Sequence, residues 1–172
     1  MDKRLVLAVL SAGCYAAEPA YFFGGQLSSD YDNDTGTYEF SAAEKYAGVS
    51  LGVNKSLTQF LYMGFEGGVR IPVDSSDKGR VSFNTDSYRL LLDAKPSWRF
   101  SEALHMFGMV GIDAHSLDLS DTLKMRFGGG LEAFFSNKLS MVLQFIGTST
   151  YEDIEKGSFT DATVTLGAHL YC

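Results

Sequence analysis

Eight segments of this chain alternate apolar and polar residues with a period of two, and this alternation constrains the fold more than any other feature. Successive side chains of a β-strand point to opposite faces, so each segment predicts a strand with one apolar and one polar face. The segments span residues 20–29, 45–54, 58–71, 86–100, 103–115, 122–135, 139–148 and 160–172. Apolar residues interrupt the polar face of the fifth and seventh segments at Phe107, Met109, Val142 and Ile146. The sequence therefore predicts an all-β fold.

The composition favours strands and excludes some functions. The chain has 13 Phe, 9 Tyr and 18 Gly but only 3 Pro, a mixture typical of strands and tight turns. Its hydrophobic content of 45% is too high for a disordered chain. The net charge of −7 argues against a nucleic-acid-binding protein, because such a protein needs a basic patch to contact phosphates.

The connections between the predicted strands alternate between short and long. The short ones are residues 54–56, 101–102 and 136–138, and the long ones are 30–44, 72–85, 116–121 and 149–159. Barrels of the outer membrane have this asymmetry, with short periplasmic turns, long outer loops and an even number of strands. We therefore predict an eight-stranded antiparallel up-and-down transmembrane β-barrel with both termini on the periplasmic side. The alternative is a soluble eight-stranded barrel, which would place its apolar face inside.

Glycines and charged residues share one strand face, and this indicates which face is inside. The interior of an eight-stranded barrel is only wide enough for side chains to fill, so long charged side chains fit there only beside glycines. Because buried charges must be paired, nearly balanced charges also favour the interior. We predict a lumen charge network formed by Glu66, Arg70, Arg89, Asp93, Lys95, Asp113, Lys124, Arg126 and Glu132. Glu66 and Arg70 are too far apart along one strand to pair directly. The candidate partners of Glu66 or Glu132 are Arg89, Lys124 and Arg126.

The first residues have the features of a secretory signal. A short charged start and an apolar run over residues 5–10 precede Ala16 and Ala17. We predict a signal peptide over residues 1–16, or ending at 17, and a barrel domain over residues 17–172. The alternatives are a first buried strand and a lipoprotein box that ends at Cys14. Cleavage would leave Cys172 as the remaining cysteine, so the sequence predicts no intrachain disulfide and no Cys/His metal site.

The chain resembles the small outer-membrane β-barrels of Gram-negative bacteria, the OmpA/OmpX-type superfamily that also includes lipid A palmitoyltransferase barrels. The resemblance covers residues 20–172 and is carried by the strand number, the loop asymmetry, the strand at 104–111 and the alternating end at 164–172. It implies a location in the bacterial outer membrane, contact with lipid and lipopolysaccharide, and insertion by the barrel assembly machinery. Family members usually end in Phe, and this chain has Cys172 in that place.

Few residues indicate catalysis or metal binding. Deacylase and palmitoyltransferase barrels use His with Ser and an acidic residue, and here His115 and Ser116 follow Asp113 without reproducing the motifs of those enzymes. Residues 30–34 alternate carboxylates like the start of a calcium loop, but Thr35 stands where an EF-hand requires Gly. We predict no enzymatic activity, no cofactor and no metal, and a lumen that its own charges plug.

The long loops carry the predicted function, because loops on a rigid scaffold are the usual sites of recognition. They combine acidic and aromatic side chains. The candidate recognition residues are Asp30, Tyr31, Asp32, Asp34, Tyr38, Phe83 and Tyr151. We predict a structural or adhesin-like role with a host surface, lipopolysaccharide or an envelope protein as partner. The alternatives are a lipid A-modifying enzyme and a narrow channel of low conductance.

Overall fold

The computed structural model describes residues 20–32, 44–75, 81–83, 87–115, 123–150 and 161–172, which contain nine β-strands. The strands are β1 (Ala20–Asp32), β2 (Glu44–Ser56), β3 (Leu61–Ser75), β4 (Val81–Phe83), β5 (Arg89–Arg99), β6 (Leu104–His115), β7 (Leu123–Phe134), β8 (Leu139–Ser149) and β9 (Asp161–Tyr171). No helix in this part of the chain is long and apolar enough to cross a membrane. The predicted signal peptide over residues 1–16 lies outside the described residues.

Eight of these strands close into one antiparallel barrel. Hydrogen-bonded neighbours follow the order β2, β1, β9, β8, β7, β6, β5 and β3, and the pairing of β2 with β3 completes the circle. The first and last barrel strands meet directly, with Phe23 opposite Leu170. The short strand β4 pairs with the end of β3 inside a stretch that the sequence assigns to a loop. The predicted eight-stranded antiparallel barrel is therefore confirmed.

The apolar strand faces point outward and the charged faces point inward. Leu27, Leu51 and Phe65 are 64%, 66% and 54% exposed, whereas Glu66 and Arg70 are 5% and 2% exposed. A continuous apolar exterior of this kind is unfavourable in water and favourable in lipid. Closure of the barrel also pairs the backbone groups that lipid cannot hydrate. The soluble-barrel alternative is wrong, because it requires the opposite orientation of the two faces.

Three short turns connect the strands at one end of the barrel, which we call the turn end. The turns share one five-residue pattern, at residues 57–61, 100–104 and 135–139. An apolar residue comes first, Ser or Thr second, and Leu last, with two further residues between. Ser136 Oγ accepts hydrogen bonds from the N–H groups of Lys138 and Leu139 at 3.2 and 3.1 Å. Thr58 and Ser101 stabilise their turns through the same kind of contact. Such hydroxyl contacts with nearby backbone replace ladder hydrogen bonds and end the strands.

Several strand boundaries differ from the predicted ones. β2 continues to Ser56 and β3 begins at Leu61, so the predicted turn at residues 54–56 and strand start at residue 58 are wrong. β1 and β3 also extend past their predicted ends, to Asp32 and Ser75. Alternation of apolar residues fades toward the loop end, where long connections join the strands, although the strands continue there. The pairing of backbone groups, rather than side-chain polarity, sets these ends.

Apolar side chains share the interior with the charged ones. The buried apolar residues of the strands include Phe22, Leu91, Phe107, Met109, Val142 and Ile146. Four of these are the residues that interrupt the polar face in the sequence pattern. They fill space between the ion pairs, because a close-packed interior leaves few voids. The lumen is therefore a mixed core.

The pairing between β5 and β6 is interrupted at Pro96. Its register runs from Arg89 to Ala94 and resumes at Ser97. Proline has no N–H to donate and is therefore unusual in the middle of a strand that has neighbours on both sides. A Cβ placed on Gly108 would lie 3.8 Å from Pro96 Cγ, so these two residues adjoin across the break. The pairing of β5 with β6 is thus interrupted at this place in the barrel wall.

Candidate functional site

All nine predicted network residues lie on the inner side of the barrel wall. Seven of them are buried: Glu66, Arg70, Asp93, Lys95, Asp113, Arg126 and Glu132. The side chains of Arg89 and Lys124 are 17% and 25% exposed and lie toward the loop end. Because alternate residues of a strand share a face, their common orientation follows from the period-two pattern. Their partners depend on the register between strands and are described below.

Two arginines and two aspartates form a cluster near the loop end, which we call the loop-end cluster. Arg70 donates from Nη1 to Asp30 Oδ1 at 3.0 Å and from Nη2 to Asp113 Oδ2 at 2.7 Å. Arg89 Nη1 lies 3.4 Å from a carboxylate oxygen of each aspartate. The planar guanidinium favours such branched contacts with carboxylates. Strands β1, β3, β5 and β6 are thereby joined through the lumen.

Neutral side chains complete the loop-end cluster. Both guanidinium groups lie over the ring of Tyr46, with Arg70 Cζ 4.7 Å and Arg89 Cζ 5.1 Å from its centroid. Thr163 donates a hydrogen bond to Asp30 Oδ1 at 2.8 Å. A buried charge is stable only where its desolvation is offset by several such contacts. In the loop-end cluster, side chains of the barrel strands provide these contacts.

Two further ion pairs lie in the interior. Lys124 Nζ is 2.5 Å from Asp161 Oδ2, which also accepts a hydrogen bond from Thr148. Arg126 Nε is 3.5 Å from Asp93 Oδ1, longer than a good hydrogen bond. Asp93 opposes Gly111, where a Cβ would lie 2.0 Å from the carboxylate. Glycine at this position therefore creates the space that the Asp93–Arg126 pair occupies.

Nearer the turn end, two glutamates share one histidine. Glu66 pairs with Lys95, and His169 Nε2 lies 4.0 Å from the same carboxylate. The other ring nitrogen, His169 Nδ1, is 3.1 Å from Glu132 Oε1. We call these four residues, together with the hydroxyl groups around Glu132, the turn-end network.

Uncharged donors satisfy Glu132 in the turn-end network. Ser140 and Tyr171 donate to Glu132 Oε1 at 2.5 and 2.7 Å. Asn54 in turn donates to Tyr171 Oη at 3.0 Å. The Phe22 ring stacks on His169 with 4.3 Å between centroids. Neutral hydrogen bonds and stacking thus replace part of the ion pairing that is found at the loop end.

The predicted partners of the two glutamates are wrong. Glu66 pairs with Lys95 rather than with Arg89, Lys124 or Arg126. Lys95 opposes Gly64, two residues from Glu66 on β3, so the pair is diagonal. Glu132 has no Lys or Arg partner among the described residues and is bound by His169, Ser140 and Tyr171. A diagonal contact depends on the register, which alternation alone does not specify.

The structure adds interior residues that sequence reasoning missed. Asp30 was assigned to a recognition loop, but it is 7% exposed and pairs with Arg70. Asp161 and His169 fall on the polar face of the last strand in the alternation, which is the sequence signal for their inward orientation. Tyr171, which interrupts the usual terminal pattern, faces inward because its hydroxyl binds Glu132.

Three of the remaining predicted recognition residues lie at the loop end of the described strands. Tyr31 and Asp32 form the end of β1, and Phe83 ends β4 with its ring exposed. The predicted residues outside the described part of the chain are Asp34, Tyr38 and Tyr151. Within the described ranges, no group of three or more His, Cys, Asp or Glu side chains is arranged to hold a metal ion.

Comparison with known proteins identifies the fold. No family model matches the sequence, and no curated protein matches it significantly. Ail, the attachment invasion locus protein of Yersinia pestis, was solved in complex with the heparin analogue sucrose octasulfate. That structure is 12% identical with a TM-score of 0.56 and covers 90% of this chain and 99% of its own. A second Ail structure is 13% identical with a TM-score of 0.50, covering 91% and 99% of the two chains.

A third similar structure, Neisserial surface protein A, is 9% identical with a TM-score of 0.44 and covers 89% of this chain and 99% of its own. The identities are low enough that the likeness to these proteins concerns the fold alone. The apolar exterior, the closed wall and the paired interior charges agree with that fold. The chain is therefore a small transmembrane β-barrel.

Proposed function

We propose that this protein is a non-conducting, non-enzymatic barrel whose acidic outer loops recognise a positively charged protein surface. The observation that carries the proposal is the filled lumen, in which Arg70 joins Asp30 and Asp113 across the interior. Because side chains fill the lumen at this level, a protein partner that approaches the loop end contacts the outer loops rather than the interior. Recognition through loops on a rigid barrel is the simplest use of this arrangement.

The interior argues against a stable open pore. Eight-stranded barrels have interiors that side chains fill, and here ion pairs connect non-adjacent strands at two levels. Opening a path would require Arg70 to leave both of its aspartates and Arg126 to leave Asp93. Separated charges buried in this way are strongly destabilised. We expect no steady conductance from the protein in planar lipid bilayers, and a stable open state there would contradict the proposal.

The charge of the outer segments defines the class of partner. Residues 31–45, 74–88, 116–122 and 150–160 together contain twelve Asp or Glu and four Lys or Arg. Charge complementarity raises association rates and excludes partners of like charge. These segments also contain aromatic residues, which are enriched at the centres of interfaces. An acidic surface with aromatic anchors suits a basic protein surface, whereas the Ail structure named above contains a sulfated, anionic sugar.

The contacts of Asp113 support the non-enzymatic proposal. Its Oδ2 accepts the 2.7 Å hydrogen bond from Arg70, and its side chain is 2% exposed. A carboxylate engaged in this way is not free to orient a histidine as a general base. We expect mass spectrometry to find identical lipid A from cells with and without the protein. A change in acyl chains that depends on the protein would contradict the proposal.

Binding to charged partners tests the recognition itself. The purified barrel in nanodiscs is expected to bind a basic protein such as lysozyme, more weakly as salt increases, and not to bind heparin. The triple variant E152Q, D153N and E155Q should weaken binding several-fold, because three of the outer carboxylates are removed. The control E102Q removes one exposed carboxylate at the turn end and should leave binding unchanged. Equal weakening by both variants, or binding to heparin, would overturn the proposed partner class.

A further inference from the structure

A cavity of about 480 Å³ opens at the turn end, opposite the proposed recognition loops. Its volume lies in the range of pockets that bind small molecules, about 300–1,000 Å³. The side chains that define it include Asn54, Tyr62, Arg99, His105, Phe134 and Tyr171. Exposed residues of two turns, Ala103 and Ser136, lie at its rim. The cavity is therefore accessible from the periplasmic side.

Aromatic rings line one wall of this cavity as a continuous arc. The Tyr62 and His105 centroids are 5.2 Å apart with the rings 26° from parallel. His105 and Phe134 are 4.6 Å apart, and Phe134 and Tyr171 are 5.5 Å apart. Rings at these separations pack against one another and together form a broad apolar wall. This wall therefore suits a molecule with an apolar body rather than an ion alone.

The inner end of the cavity is closed. Asn54 donates to Tyr171 Oη, and Tyr171 donates to Glu132, at 3.0 and 2.7 Å. Beyond this chain of hydrogen bonds lies the ion pair of Glu66 and Lys95. A molecule that enters from the turn end therefore meets a floor and stays in the cavity instead of crossing the barrel.

One cation with unused donors faces this cavity. Arg99 opposes His105 in the β5–β6 register. The guanidinium and the imidazole are therefore carried by neighbouring positions of the two strands. Arg99 Nη1 donates to Tyr62 Oη at 3.2 Å, and its ion-pair partner Glu102 is 3.9 Å away and exposed. A guanidinium has five N–H donors, and a fork of two donors matches a carboxylate. Arg99 thus retains the donors needed to bind an anionic group.

We propose that this cavity is a binding site for a small organic anion with an apolar body and one carboxylate. The aromatic arc receives the body, and Arg99 with His105 receives the carboxylate near the rim. The site is at the opposite end of the barrel from the recognition loops, and the proposal stands independently of what those loops bind.

The test uses two probes of equal shape and different charge, 4-fluoro-1-naphthoate and the neutral 4-fluoro-1-naphthalenemethanol. Fluorine NMR measures the binding of each probe to the full chain in nanodiscs, with empty nanodiscs subtracting partition into lipid. We expect saturable binding of the naphthoate and binding weaker by about tenfold for the alcohol, since a charge-assisted hydrogen bond is lost.

Three variants separate the cavity from general charge effects. R99Q should weaken naphthoate binding by about tenfold and leave the alcohol unchanged. K138Q removes another cation of the turn end, one that is exposed and outside the cavity wall, and should bind both probes as the unmodified chain does. A103W should block both probes at the rim, and heat-modifiable gel migration checks that each variant is folded. Equal effects of R99Q and K138Q, or binding that A103W does not reduce, would overturn the proposal.

Discussion

The loop-end cluster and the turn-end network both stabilise charged side chains inside the barrel, but they do so through different interactions. At the loop end, two guanidinium groups and two carboxylates neutralise one another, and Arg70 lies between Asp30 and Asp113. At the turn end, Glu132 is surrounded by a histidine and two hydroxyl groups. The first arrangement depends on net charge, whereas the second depends mainly on hydrogen-bond donors. Removal of one member should therefore have unequal consequences in the two regions.

The difference shows why a barrel interior needs more than balanced charge. An ion pair loses its stabilisation when either partner is removed, because the remaining charge is buried and unpaired. A carboxylate held by hydroxyl groups tolerates replacement by an amide, which accepts the same hydrogen bonds. The loop-end cluster is thus held by charge, whereas Glu132 in the turn-end network is held mainly by hydrogen-bond geometry. The following predictions are ordered from the largest expected effect to the smallest.

Replacement of Arg70 should be the most destabilising change. R70M leaves Asp30 and Asp113 with Arg89 as their remaining cation in the cluster, and we expect a loss of about 3–5 kcal/mol in the free energy of unfolding. Urea unfolding in lipid vesicles measures it. The control K45M removes an exposed cation on β2 and should cost less than about 0.5 kcal/mol. A loss for R70M as small as that of K45M would show that the cluster is hydrated rather than buried.

The Glu66–Lys95 pair is the part of the turn-end network that depends on charge, and replacement of Lys95 tests this dependence. K95M should cost about 3 kcal/mol, because Glu66 then keeps a buried charge without its ion-pair partner. The double variant E66Q/K95M removes both charges and should recover at least about 1 kcal/mol relative to K95M. The same unfolding measurement completes this double-mutant cycle, and purely additive losses would contradict direct pairing.

Amide replacements compare the two regions most directly. D113N removes the charge opposite Arg70, and we expect a loss of about 3 kcal/mol. E132Q keeps an oxygen that accepts from Ser140 and Tyr171, so its loss should be about 1 kcal/mol. Both substitutions preserve side-chain size, so the difference in unfolding midpoint isolates charge. If E132Q were the more damaging variant, the contrast between the regions would be incorrect.

The turns should show the smallest effects. S136A removes an acceptor used by two backbone N–H groups and should cost about 1 kcal/mol or less. S101A removes an acceptor used by the N–H of Ala103 and should cost less than S136A. Unfolding midpoints of the two variants in one lipid measure the order, and a reversed order would indicate that the hydroxyl groups do not stabilise the turns.

The sequence predicted which side of the wall each residue occupies, but not which residues meet. Alternation places Glu66 inside and Phe65 outside, because the two faces of a strand are fixed by a period of two. The partner of Glu66 depends on the register between β3 and β5, which a long connection joins. A long connection does not specify the register in the way that a short turn does, so the alternation could not predict diagonal pairs such as Glu66–Lys95.

The predicted ends of strands that finish in polar residues were also wrong. Asp30 belongs to a run of polar residues that reads as a loop, yet β1 continues through it to Asp32. The backbone of β1 remains paired with β2 and β9 at this position, and the carboxylate of Asp30 binds Arg70 inside the barrel. A single sequence does not reveal a contact between residues forty positions apart. The predicted charge balance was nonetheless a correct guide to the interior.

The interruption at Pro96 has a consequence for how the barrel wall responds to the bilayer. The β5–β6 register lacks residues 95 and 96, and Pro96 adjoins Gly108 there. The adjoining parts of β5 and β6 are paired through their backbones. Where the bilayer thickens or thins around the barrel, we therefore expect the wall to deform most readily between β5 and β6.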